Sequence, residues 1–274
     1  MRSTSNPAFR NLPTQQGGYA TFDRSGGGMM GGGAALGGAQ SSYVDPSQTT
    51  QDTGRPITID DIVQKTAISG GLALVAGFLT VLSGLYVLAL PAFIVGIVVS
   101  LIVIFKQKPS APLTLTYSIA MGIALGGITG VIQDSAPQQY AGIGLQAVIG
   151  TAGVFFGMLV VYKTGAVKVT PRFTKWLMGA MIGVVVLMVA NLVASFFTTG
   201  GMGLRDGSPL AILFSIVVIG VAAFSLLLDF DAADNAVKAG VPEKYSWYIA
   251  FGLMTTLVWL YIEILRLLSY LRGD

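Results

Sequence analysis

Residues 67–105 read AISGGLALVAGFLTVLSGLYVLALPAFIVGIVVSLIVIF, 39 positions without one Asp, Glu, Lys or Arg. A single helix crosses the hydrocarbon core of a bilayer with about 20 apolar residues. The stretch therefore reads as two spans, with the break expected near Ala89-Leu90-Pro91. The same reading outward gives spans at 115–132, 143–162, 176–197, 209–228 and 247–270. That makes seven, and the expected fold class is an all-α polytopic membrane protein.

Composition agrees. Hydrophobic residues make up 53% of the 274 and charged residues 11%, and the mean hydropathy is +0.71. A soluble domain carries about a quarter charged residues. The net charge of +3 is spread over separate loops with no basic stripe, which argues against a nucleic-acid partner. The chain has no Cys, so it has no disulfide, thiol nucleophile or Cys metal site. It has no His, which removes His-ligated zinc and the usual neutral-pH switch. Any proton chemistry here falls to carboxylates.

Residues 1–56 differ from the rest. They are polar, with a glycine run from Gly26 to Gly33 interrupted by Met29 and Met30. Such a segment buries too little apolar surface to offset its ordering entropy, so a disordered cytoplasmic tail is expected. The glycine run follows no strand, so it is no phosphate loop. No apolar core follows the start, so no secretory signal is expected. Asn6-Pro7-Ala8-Phe9 reads either as a docking motif or as incidental sequence. The membrane domain is placed at 57–274.

Local signals mark several helix ends. Thr58-Ile59-Asp60-Asp61 has capping-box spacing and predicts a short helix leading into the first span. Ser208-Pro209 sets a cap before a first-turn proline, and Pro242 precedes the last span. With the N-terminus inside, 13 of the 16 basic residues fall on the cytoplasmic side. The expected topology is a plasma-membrane protein with the N-terminus cytoplasmic and the C-terminus outside. Gly122, Gly126, Gly127 and Gly130 in the third span, with Gly179 and Gly183 in the fifth, suit close helix packing. A mobile helix would use the same residues.

The acids near the end carry the chemistry. Residues 224–234 read FSLLLDFDAAD, bringing Asp229, Asp231 and Asp234 to the inner end of the sixth span. Near a helix C-terminus negative charge is mildly unfavourable. The plain reading is a solvated end with Asp234 paired to Lys238. The functional one is cation attraction or a carboxyl tuned by its surroundings. The spacing is not that of a calcium-binding EF loop, since position twelve is Gly240 in place of Glu. No tight metal site and no cofactor are expected. Glu263 lies within the last span, where an ionisable residue marks a functional site by default. Arg266, three residues on, offers it a structural partner.

Seven spans, the segment Ser225-Leu226-Leu227-Leu228-Asp229 and the ending Leu265-Arg266-Leu267-Leu268 resemble the Bax inhibitor-1 family, whose bacterial members include the YccA-type proteins. The resemblance covers about residues 60–272. It implies a seven-helix bundle around one central helix and, for some members, a pH-sensitive calcium leak gated by two aspartates on spans six and seven. Asp229 matches the first aspartate. Thr256 stands where the second would be, and Glu263 lies one heptad further on. Counted from the inner helix ends, Asp229 is roughly 14 Å deep, Thr256 roughly 21 Å and Glu263 roughly 32 Å. Asp229 therefore pairs with Thr256 or with a base such as Lys163 or Lys175, and Glu263 forms a separate site.

Two functional classes stay open. One is a cation leak, with calcium as permeant ion because Asp oxygens suit a hard cation. The other is a non-transporting regulator of a membrane quality-control protease or another membrane protein, which the YccA-type resemblance implies. Enzyme activity is not expected: a serine protease would need His, and no Gly-x-Gly-Asp serves an aspartyl type.

Overall fold

The computed structural model describes residues 54–198 and 201–273. The expected tail lies almost wholly outside the described residues, as does Asn6-Pro7-Ala8-Phe9. From Pro56 the chain forms one unit. Its helices are α1 Ile59–Ser83, α2 Ala89–Lys106, α3 Ala111–Ser135, α4 Ile143–Thr164, α5 Pro171–Ser195, α6 Pro209–Lys238 and α7 Ser246–Gly273. Each lies in a segment long and apolar enough to cross a bilayer.

The helix ends follow from local chemistry. Thr58 Oγ1 accepts the Asp61 N–H at 3.3 Å, and Asp61 Oδ2 accepts the Thr58 N–H at 2.9 Å. This closed box starts α1 itself, which runs on as the first span, so the short lead-in helix is not separate. Thr58→Ala is expected to lower stability by about 1 kcal/mol. A thermal melt of the purified protein reads this, and an unchanged melt would remove the box from the stability of α1. Thr170 and Ser208 cap α5 and α6 with the hydroxyl half of such a box, accepting the Phe173 and Ala211 N–H, and each is followed by proline. The Thr170-Pro171 pair was as legible as Ser208-Pro209.

Two boundaries differ from expectation. The break between the first spans falls at Gly84, whose φ of 65° ends α1, and one 3₁₀ turn at Tyr86–Leu88 leads into α2. Pro91 is not the breaker. It occupies the first turn of α2, where no intrahelical donor is missed. The sixth span does not stop at 228 but continues to Lys238. Hydropathy locates the bilayer core, and a helix continues past it while its backbone bonds are kept.

The helices α3, α6 and α7 are about half buried, whereas α1, α2, α4 and α5 turn most of their surface outward. Helix α7 packs against α1, α3, α4 and α6, while α2 packs on α3 and α5 on α6. Helices α3 and α7 run parallel and in register. Thr114 Oγ1 donates to the Trp247 carbonyl at 3.1 Å, Thr129 Oγ1 and Tyr261 OH share a bond of 2.8 Å, and Arg272 Nη1 donates to the Gln139 carbonyl at 3.1 Å. Van der Waals fit holds such a bundle, since lipid is as apolar as the side chains.

The glycines of α3 make that fit. A Cβ on Gly126 would strike the Gly77 backbone, and one on Gly122 the Ala73 backbone. Gly127 meets Ala89 and Gly130 meets the Tyr86 ring. The pair Gly179 and Gly183 on α5 does not do this: a Cβ there would meet open space, so among the described residues no neighbour bears on them.

Candidate functional site

Helices α6 and α7 form an antiparallel hairpin joined by residues 239–245. The N-terminal approach to α1 is fastened to this turn. Ile57 N–H donates to the Val241 carbonyl at 2.8 Å, and Pro56 bridges Pro242. Lys65 of α1 reaches Glu243 at 2.9 Å and Ser246 Oγ at 2.6 Å. The turn is thus held at three points while both helices run inward from it.

Asp229 faces α7. Its Oδ2 accepts a hydrogen bond from Thr256 Oγ1 at 2.6 Å, joining α6 to α7 within the membrane-spanning part of the bundle. A bond from hydroxyl to carboxylate is charge-assisted and short. Thr256 stands where a second carboxylate was in question, and the residue present donates a proton that an ionised carboxylate could not. Lys163 and Lys175 are both exposed. Among the described residues neither forms an ion pair with Asp229.

Asp231 and Asp234 lie on the last two turns of α6. Asp231 accepts from Asn235 Nδ2 at 2.9 Å. Asp234 pairs with Lys238 at 2.5 Å and also accepts from Tyr162 OH of α4 at 3.4 Å. Lys238 is 69% exposed, so water screens this pair and it adds little to the stability of α6. Tyr162 was missed, because nothing in sequence spacing ties α4 to the end of α6.

Glu263 belongs to a different site, seven residues further along α7 and about 10 Å from Thr256 along the axis. It is 2% exposed. Arg205, from the loop before α6, clamps it with two bonds, Nη1 to Oε2 at 3.1 Å and Nη2 to Oε1 at 3.0 Å. Arg266 Nη1 adds a third at 3.1 Å. The Arg205 guanidinium also lies over the Phe214 ring, 5.4 Å from its centre. The carboxylate is thus shared by two cations, of which sequence spacing finds only Arg266.

The Arg205 loop is itself positioned. Asn191 Oδ1 accepts the N–H of Met202 at 2.9 Å. Asp206 Oδ1 accepts the Ser208 N–H at 3.0 Å, and this bond holds the Asp206 carboxyl below its ordinary range. Asp134 sits on the last turn of α3.

Among the described residues no cluster of three acids is placed to hold a metal ion. The arrangement is that of a multi-pass membrane bundle in which two carboxylates tie the last helix to its neighbours, one by a carboxylate–hydroxyl bond to α6 and one by a carboxylate–arginine clamp to a loop. The chain matches the family described as Bax inhibitor 1 like over residues 6–273, and it belongs to that family. The match extends into the tail, beyond the residues 60–272 on which the resemblance rested. No curated protein matches the chain.

Proposed function

We propose that the protein passes cations, calcium foremost, down their gradient across the plasma membrane, with Asp229 governing passage. The observation that carries this reading is the 2.6 Å bond from Thr256 to Asp229. A carboxylate between two of the three most buried helices offers a cation an oxygen ligand, and its bond to Thr256 holds the helices together over it. Opening frees the carboxylate. Asp231 and Asp234 add negative charge on the same helix, at the expected cytoplasmic mouth. Calcium is the passenger, and the chemistry needs no resident metal, cofactor or enzymatic step. The N-terminus is cytoplasmic and the C-terminus outside, following the basic residues.

The test is calcium entry into dye-loaded proteoliposomes from about pH 5 to 8. With no His in the spans, a carboxyl must carry any pH response. Wild type is expected to show pH-dependent entry, and Asp229→Asn a low, flat one. Thr256→Val removes the closing bond and is expected to shift the closed–open balance by about tenfold or more. Folded protein that gives no entry above empty vesicles at any pH would rule out the leak.

A second reading rests on the partly exposed ends of α6. Asp231, Asp234 and Lys238 offer a surface to a membrane protease or another membrane protein, and the tail is a second docking element of its own. In that case vesicles stay tight, and substitutions at 231 and 234 release the partner.

A further inference from the structure

A half-enclosed cleft of about 230 Å³ lies between the C-terminal halves of α3 and α7. Its walls are Ile128 and Ile132 on α3 and Ile262 and Leu265 on α7. Arg266 and Tyr270 close one end. On α7 these positions form a single stripe at helical spacing. Ser269 also lines the cleft, but its hydroxyl is spent on the Arg266 carbonyl at 2.7 Å.

We propose that this cleft binds one anionic phospholipid, an acyl chain lying on the Ile and Leu walls and the phosphate on Arg266 and Tyr270. Three observations support it. The first is depth. An untilted helix of 25 residues, the length of α3, is about 37 Å long and overshoots a core of about 30 Å by some 4 Å at each end. By the in-register pairing of α3 with α7, Arg266 stands level with Gln133, about 3 Å from the end of α3. That is the boundary where phosphates meet hydrocarbon, and the Ile walls extend from it toward the core.

The second is charge. Glu263 carries one negative charge and is already held by both nitrogens of Arg205. Two arginines face two acids here, Glu263 and Asp206, and Arg266 uses only Nη1 on Glu263, so among the described residues its Nη2 and Nε remain as charged donors for a phosphate at the cleft. Asp206 is the nearby acid on the loop, where it is turned to the Ser208 N–H. The third is the lining. Four of the seven lining side chains are aliphatic, a wall that makes a poor partner for water and a good one for an acyl chain. The arginine at its end repels a cation, so the cleft is no vestibule for one. Aliphatic wall and cation together fit a molecule that has both a chain and a phosphate.

The test is native mass spectrometry of the full chain in detergent with phosphatidylglycerol or phosphatidylcholine, together with thermal melts. Wild type is expected to keep one phosphatidylglycerol per chain, with about a fivefold preference over phosphatidylcholine. Arg266→Gln should remove that preference, and Ile128→Trp, which fills the cleft, should abolish retention of either lipid. If Arg266→Gln does not fold, Ile128→Trp decides. Retention unchanged in Ile128→Trp, or equal for both lipids in wild type, would overturn the site. Inorganic phosphate alone protecting the protein as well as the lipid does would overturn it too, in favour of a soluble ligand.

Discussion

Gly126→Val is expected to lower stability by about 3 kcal/mol and to leave a large share of the protein unfolded in detergent. The reason is backbone contact. At Gly126 the Cβ would fall on the Gly77 carbonyl and Cα, and Gly77 in turn lies 2.9 Å from the Gly122 carbonyl as measured from its own ideal Cβ. A flexible side chain can turn aside, but two helix backbones cannot. The helices must separate, and the loss spreads along the whole α1–α3 seam. Gly179→Val on α5 is the control, since its Cβ meets open space, and a change within about 0.5 kcal/mol is expected there. Thermal melts of the two proteins side by side decide the matter. Equal melting would mean that α1 and α3 do not approach this closely.

Arg205→Met is expected to cost about 3–5 kcal/mol, because it leaves Glu263 buried with a single bond to Arg266. Adding Glu263→Gln in the same chain should recover part of that loss, since the uncompensated charge disappears. The double-mutant cycle is the measurement. If the two losses simply add, Arg205 and Glu263 are not coupled and the clamp contributes nothing. Entry of calcium in the vesicle assay should respond to Asp229 and Thr256 more than to this cycle, because the two polar links lie about 10 Å apart along α7.

Much of this was legible in the residues. Charge spacing marks seven spans because a charge in hydrocarbon is costly, whatever the neighbours are. Caps are read from three or four adjacent residues, as at Thr58 and Ser208, since the groups they satisfy are local. The level of Thr256 with Asp229 follows from counting along two helices joined by a short turn, where the rise per residue is fixed. What counting could not place was any contact between helices distant in the chain. Tyr162 reaches Asp234 across 72 positions and Arg205 reaches Glu263 across 58. The glycine pairs make the same point. Gly122 with Gly126 and Gly179 with Gly183 share one spacing, yet only the first pair meets a helix.

The sequence by itself therefore determined the membrane class, the number of spans and the local caps. Each of these depends on transfer from water to lipid or on a turn of helix, and both are set within one segment. Only the tertiary structure decided that Asp229 bonds to a hydroxyl, that Glu263 is clamped by a loop arginine, and which glycines bear on a neighbour. Those depend on which helix faces sit together. In lipid that choice is made by close fit between whole surfaces, because no difference in hydrophobicity distinguishes one apolar face from another.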